Sequence, residues 1–384
     1  MNNINKIFIT FLCIELIVGG GGRLLEPLGI FPLRYLLFVF SFIVLILNLV
    51  TLNFSITEKC VNFFIWLFLF PLYGFFVGLL TGNKVNDILF DVQPYLFMLS
   101  LIYLFTLRYT LKVFLCEIFI KIVNVFALYG SLLYISYIIL LNLGLLNFNL
   151  IYEHLSLTSE FFFRPDGAFF SKSFYFFGVG AIISFVDKKY LKCLIIVLAI
   201  LLTESRGVLL FTALSLLLAS FKLHKLYLNA IIIILGSVLF LIMLYMVGSR
   251  SEDSDSVRFN DLYFYYKNID LATLLFGRGF GSFILDRLRI EIVPLEILQK
   301  TGVIGVFISI IPMLLIFVKG YFLNTTKKSL MMSLILFFSI TVSITNPFLF
   351  TPMGIFIIGV VVLWIFSIEN IQINNNLTSQ GKIT

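Results

Sequence analysis

Charge is scarce in this chain. Only 12% of the 384 residues are charged, whereas 60% are hydrophobic and the mean hydropathy is +1.08. Soluble domains carry about 25% charged residues, and a globule of this size cannot bury so many apolar side chains. The composition excludes a soluble enzyme. Because the apolar runs are continuous rather than alternating, it also disfavours a transmembrane β-barrel. Of the main structural classes, the remaining one is an all-α polytopic integral membrane protein.

Cysteine and histidine are also few. The four cysteines are scattered without a C-x-x-C pair, and the chain has only two histidines. A zinc site or a disulfide framework therefore has no support. We expect neither a metal ion nor another cofactor.

Apolar runs of about 20 residues predict about twelve transmembrane helices. We expect them at 4–20, 35–52, 61–80, 88–107, 122–146, 167–186, 191–203, 207–221, 227–247, 302–318, 329–346 and 353–368. They divide the chain into N-terminal helices (1–146), an outer loop (147–166), central helices (167–247), a large outer loop (248–301), C-terminal helices (302–368) and a disordered tail (369–384).

The basic residues sort by type between the two sides of this topology. With the N-terminus in the cytoplasm, the inner side receives thirteen Lys and one Arg, and the outer side nine Arg and four Lys. Lysine serves well as a topological charge, whereas arginine suits bidentate recognition of phosphate. We interpret the outer face as an anion-handling surface, although chance and snorkelling at helix ends are the alternative. Since the net charge of +7 is divided between two faces, we expect no nucleic-acid partner.

Four outer arginines stand in distinctive contexts. Arg164 precedes the sixth predicted span, where a helix N-terminus would favour anions. Arg206 lies in a tight hairpin between two short apolar runs, and Arg258 lies in the large loop. Arg278 stands between Gly277 and Gly279, whose backbone could form a nest around phosphate oxygens. The simpler alternatives are an interfacial anchor, a plain turn and ordinary loop glycines.

Two carboxylates precede the tenth predicted span. Glu291 and Glu296 lie close in sequence to Arg287 and Arg289. A carboxylate beside cationic groups could act as a general base toward a sugar hydroxyl. The alternative is an ordinary capped helix start.

Taken in order, these motifs resemble the O-antigen polymerase and ligase superfamily of bacterial envelope polysaccharide assembly. The resemblance covers roughly residues 160–310. The matching elements are Arg164-x-x-Gly167, Ser205-Arg206-Gly207, the loop with Arg258, the glycines 277, 279 and 281, and the segment from Leu295 to Gly305. The large loop has Glu291 where the ligases commonly carry a histidine, which favours the polymerase branch.

The resemblance implies a GT-C-like helical architecture in the bacterial inner membrane, with the active site facing the periplasm. Its substrates would be undecaprenyl-diphosphate-linked oligosaccharides, as donor and as acceptor, and a chain-length regulator is a possible partner. Arg164, Arg206, Arg258 and Arg278, with Gly277 and Gly279, would hold the diphosphate, and Glu291 or Glu296 would be the base. An O-antigen ligase and a flippase for lipid-linked oligosaccharides are the alternatives.

Overall fold

The structure, a computed structural model, describes residues 2–20, 33–156, 161–164, 167–223, 253–323 and 326–368. Its α-helices are α1 (Asn2–Val18), α2 (Leu33–Val50), α3 (Glu58–Leu80), α4 (Val85–Val92), α5 (Ser100–Thr106), α6 (Tyr109–Asn142), α7 (Phe148–Leu155), α8 (Tyr175–Val186), α9 (Tyr190–Leu202), α10 (Arg206–Leu223), α11 (Asp253–Asn268), α12 (Leu271–Phe276), α13 (Val293–Val318), α14 (Lys327–Val342) and α15 (Pro352–Leu363). A 3₁₀ helix (Gln93–Leu99) joins α4 to α5, and two strands, β1 (Phe161–Phe163) and β2 (Phe169–Ser171), form an antiparallel hairpin.

The core lies along three helices that are apolar on all sides. Every residue of α8 is buried, and α14 and α15 are buried almost throughout. A helix that is hydrophobic all round must be enclosed by other elements. The helices α6, α9 and α10 pack against α8 and enclose this centre.

Within the described ranges, five helical segments are long and apolar enough to cross a membrane. They are Leu33–Val50, Glu58–Leu80, Val85–Thr106, Arg206–Leu223 and Val293–Leu323, and three shorter apolar segments are Lys172–Val186, Tyr190–Leu202 and Pro352–Ile368. These segments confirm an all-α membrane protein. The predicted span 227–247 and the tail 369–384 lie outside the described residues.

Two helices begin nine or more residues before their predicted starts. Helix α6 begins at Tyr109, thirteen residues before the predicted start at 122. Its buried Lys112 is accommodated because Nζ donates hydrogen bonds to Ser55 O at 3.1 Å and Thr57 Oγ1 at 3.0 Å. Helix α13 begins at Val293 rather than 302, with a backbone break at Gly302 (φ 61°, ψ −165°).

Segments expected on one side of the membrane contact each other in the structure. At one end of the helices, Lys327 pairs with Asp187 at 2.9 Å, and Lys222 Nζ donates to Tyr321 O at 2.8 Å. At the other end, Asn83 Nδ2 donates to Arg278 O at 2.8 Å. We call these the lysine end and the arginine end.

Candidate active site

Residues 253–301, which belong to the predicted large outer loop, pack at the arginine end. Helices α11 and α12 lie within it, and Ile284, Ile290 and Leu295 form a small separate core against Phe264 and Tyr265. An ion pair between Arg287 and the buried Asp261 fastens α11 to the following segment. The loop is therefore a packed cap that can hold side chains in fixed positions.

Arg258 and Glu291 meet at the edge of this cap. Arg258 Nε and Nη2 donate to Glu291 Oε2 at 2.9 and 2.7 Å, and Nη2 also donates to Thr345 O at 3.3 Å. Glu291 stays 48% exposed, so its carboxylate can be reached by a substrate hydroxyl. The structure brings together two residues that lie 33 positions apart in the sequence.

The first turn of α10, which begins with Arg206, comes to the same place from the central helices. It begins α10 after a turn of three residues from α9, as the predicted hairpin requires. The next residue, Gly207, lies so close to Thr345 that an added Cβ would be 2.0 Å from its Oγ1. Because Arg258 bonds to Thr345 O, the N-terminus of α10 and the arginine of the cap meet at this one turn.

Arg164 lies in a tight turn of the β-hairpin, so its predicted position beside a helix N-terminus is wrong. Its N–H donates to Ala168 O at 2.8 Å, and α8 begins only at Tyr175. The runs of Phe on both sides of the turn favour strand structure. Ala168 of the hairpin and Glu204, two residues before Arg206, line one cavity of about 220 Å³, so the two turns are neighbours. We call the contacting pair Arg258 and Glu291, together with Arg206 and Arg164 of the two adjoining turns, the arginine centre.

Arg278 lies apart from Arg258. Its Nη2 donates to Asn268 O at 2.7 Å, at the C-terminal end of α11. Asn268 follows Arg258 by ten residues on that helix, a rise of about 15 Å. The clamp of four arginines expected from the sequence is therefore divided into two places.

The glycines beside Arg278 do not form the predicted phosphate nest. The N–H groups of Gly277 and Gly279 already donate to Thr273 O at 2.9 Å and Lys300 O at 2.8 Å. An added Cβ would lie 2.4 Å from the Lys300 carbonyl carbon at Gly277, and 2.2 Å from Gly78 Cα at Gly279. These glycines allow close backbone packing, and their amides are used within the protein.

Glu296 belongs to a buried ionic network rather than to the arginine centre. Lys300 Nζ bonds to Glu296 Oε1 at 2.7 Å and to Asp91 Oδ1 at 2.8 Å. Arg289 lies 3.6 Å from the same Asp91 oxygen, and the Gly281 N–H donates to Asp91 Oδ2 at 2.7 Å. Asp91 is 1% and Lys300 4% exposed. The network ties together α4, α13 and residues 277–281, which we call the glycine loop.

The sequence interpretation missed Lys300 and two glycines of α3. Gly74 and Gly78 form a G-x-x-x-G pattern in an apolar helix, which typically marks a close backbone approach. Here the approaching chain is the glycine loop, since the Phe280 N–H donates to Gly74 O at 2.9 Å. That pattern could have predicted the contact site on α3.

Two titratable side chains of the cap have pKa values shifted by their immediate surroundings. The hydrogen bond from the Thr273 N–H lowers the pKa of Asp270, which caps the start of α12. Burial raises the pKa of Tyr265 in the small core of the cap.

Within the described ranges, no three His, Cys, Asp or Glu side chains come close enough together to hold a metal ion.

One known protein matches the whole chain. A protein of Shigella flexneri named O-antigen polymerase is 93% identical over 382 residues, which cover 100% of both sequences. No protein-family model matches the chain, and no solved structure matches it. Identity this high over the full length places the chain in the same family as that protein. The chain belongs to the O-antigen polymerases.

Proposed function

We propose that this chain is a glycosyltransferase that joins lipid-linked oligosaccharide repeat units into O-antigen polysaccharide. The observation that carries this function is the full-length identity to an O-antigen polymerase. The arginine centre supplies the matching chemistry, because a diphosphate leaving group needs cationic groups that are already in place. The proposed substrates are undecaprenyl-diphosphate-linked oligosaccharides, as donor and as acceptor.

In the proposed reaction, a hydroxyl of the acceptor sugar attacks C1 of the donor sugar. The bond from C1 to the diphosphate oxygen breaks, and its electron pair leaves with the lipid diphosphate. Arg164, Arg206 and Arg258 stabilise that growing negative charge through charge-assisted hydrogen bonds. Arg278 is too far along α11 to join Arg258 directly, and we propose that it contacts the substrate elsewhere.

Glu291 is the proposed general base, taking the proton of the acceptor hydroxyl. Its Oε2 accepts from Arg258, and its Oε1 accepts no hydrogen bond from the described residues. Glu296 is less suited to this role because its carboxylate bonds to the buried Lys300. We propose that Glu296 maintains the network, as Gly277 and Gly279 maintain the packing of their loop.

The proposed location is the bacterial inner membrane, with about twelve spans and the arginine end in the periplasm. The separation of the lysine and arginine ends supports this orientation, since lysines concentrate on cytoplasmic loops. The five long and three shorter apolar segments support a polytopic chain. A chain-length regulator as partner stays a prediction from the resemblance.

The test is the lipopolysaccharide banding pattern of a strain that lacks this gene, complemented with wild type or Arg206→Ala. We expect wild type to restore the ladder and Arg206→Ala to leave a single band of core plus one repeat. That single band shows that export and ligation still operate. Loss of every band that carries a repeat would contradict the proposal and indicate a flippase or a ligase.

A further inference from the structure

The glycine loop of the cap lies beside α3 below the end of that helix. Phe280 packs against Phe70 and Tyr95, with ring centroids 6.0 and 5.4 Å apart. Its N–H bonds to Gly74 O, six residues or about 9 Å before α3 ends. Since Glu58–Leu80 is apolar and long enough to span a membrane, the glycine loop lies alongside the last two turns of a candidate span.

The glycine loop is not helical, and the break in α13 provides partners for its backbone N–H groups beside α3. At Gly302 the helix is interrupted, which leaves the carbonyls of Gln299 and Lys300 available to other donors. The backbone N–H of Arg278 donates to Gln299 O at 2.8 Å, and the backbone N–H of Gly279 donates to Lys300 O at 2.8 Å. Backbone that is not helical is tolerated at membrane depth only where it is satisfied by protein or lines a cavity.

A cavity of about 570 Å³ opens where the glycine loop meets the end of α3. This volume falls within the range of about 300–1,000 Å³ for small-molecule sites. The polar side of the cavity is made by Thr81, Asn83, Thr273, Arg278 and Ser282. Of the five N–H donors of the Arg278 guanidinium, one bonds to Asn268 O among the described residues.

The apolar side of the cavity continues along the outside of α3. Phe276 and Phe283 line the cavity and are 52% and 44% exposed. Below them, an exposed apolar stripe follows α3 at helical spacing on the side of the cavity-lining Val77, and its members are Trp66, Leu69, Phe76 and Leu80. The stripe spans fifteen residues, or about 22 Å. A cationic cavity thus lies at the head of a long apolar surface.

We propose that this cavity binds the diphosphate of a polyprenyl-diphosphate substrate, with its hydrocarbon tail along the exposed stripe of α3. The inference rests on the proposed function for the identity of the lipid. Arg278, which lies outside the arginine centre, would then hold a lipid-linked substrate at the membrane surface. The tail stays in the bilayer while the sugars reach toward the cap.

The test is protection of a cysteine placed in the cavity. All four native cysteines are buried, so the exposed Ala272→Cys provides the reactive thiol in protein held in nanodiscs. We expect farnesyl diphosphate to slow its labelling by a charged maleimide, and pyrophosphate or farnesol to have little effect at the same concentration. Asp286→Cys, exposed and away from the cavity lining, is the control and should label at an unchanged rate.

Adding Arg278→Gln to Ala272→Cys should raise the concentration of farnesyl diphosphate needed for protection about tenfold. Its thermal unfolding and its labelling rate without ligand show whether the fold is kept. Equal protection by pyrophosphate would overturn the proposal in favour of a simple anion site, and protection by farnesol alone would remove Arg278 from it. Absence of protection would also overturn it. Labelling needs no turnover, so these outcomes are independent of the polysaccharide ladder.

Discussion

At the scale of single residues, the two candidate carboxylates have different surroundings. Glu291 is half exposed and contacts Arg258, whereas Glu296 is 14% exposed and contacts Lys300. Five positions separate them in the sequence, and their spacing gives no reason to prefer one. The distinction depends on Asp91, which comes from a distant part of the chain and pairs with Lys300.

Replacing each carboxylate by its amide separates the two roles. We expect Glu291→Gln to lower the rate of polymerisation by about 10²–10⁴-fold, the usual contribution of a general base, at an unchanged protein level. Glu296→Gln should reduce thermal stability and protein level, with the rate per folded molecule retained. Rate measurements on purified protein check both, and loss of rate in folded Glu296→Gln alone would reverse the assignment.

The buried network gives a second prediction at this scale. Asp91→Asn leaves the ammonium of Lys300 with less compensation in a site that is almost fully enclosed, and breaking a buried ion pair costs about 3–5 kcal/mol. Thermal unfolding in detergent should show a large decrease in stability. Adding Lys300→Met should recover part of the loss, because the ammonium that has lost one of its two carboxylate partners is then removed. A double variant less stable than Asp91→Asn would contradict this account.

At the scale of elements, local patterns predicted some helices well and others poorly. The α9–α10 hairpin follows from two apolar runs interrupted by Glu204 and its neighbours, and the structure has it. The β-hairpin around Arg164 was missed, because its first strand was assigned to the outer loop and its second strand to the sixth predicted span. The helices of the large loop were missed because their stability comes from packing against Ile284, Ile290 and Leu295, which a sequence pattern does not show.

Two glycines with nearly the same backbone conformation test the packing of the glycine loop. Gly279 and Gly82 have φ of 78° and 76°, but only Gly279 lies against other backbone, whereas Gly82 has no atom within 4 Å of an added Cβ. Gly82→Ala should therefore cost only about 1 kcal/mol, from the left-handed conformation. Gly279→Ala adds a clash with Gly78 and should lower the unfolding temperature much further. Equal effects would show that the loop does not lie in the groove of α3.

At the scale of the whole molecule, the order of the predicted spans indicated which loops come together. Loops assigned to one side by counting spans, such as those with Asp187 and Lys327, contact each other in the structure. The number of spans and the geometry of the site could be predicted less well from the sequence. The break at Gly302 and the division of the arginines depend on how distant segments pack, and no local signal indicates either one.

Single cysteines test the proposed orientation. Asp286→Cys lies at the arginine end and Lys189→Cys at the lysine end, both at exposed positions, and the native cysteines are buried. In intact cells with a permeable outer membrane, an impermeant maleimide should label Asp286→Cys and spare Lys189→Cys until the inner membrane is opened. The reverse pattern would place the arginine end in the cytoplasm.

The most direct measurement is polymerisation by the purified protein in liposomes, supplied only with undecaprenyl-diphosphate-linked repeat units. The account predicts products of several repeats from wild type. It predicts a loss of about 10²–10³-fold in rate from Arg258→Lys, since lysine cannot reproduce the guanidinium contacts to the departing diphosphate. Lys267→Gln, an exposed change in the last turn of the same helix, is the control and should retain activity. Failure of wild type to lengthen the repeats, or full activity of Arg258→Lys, would contradict the account.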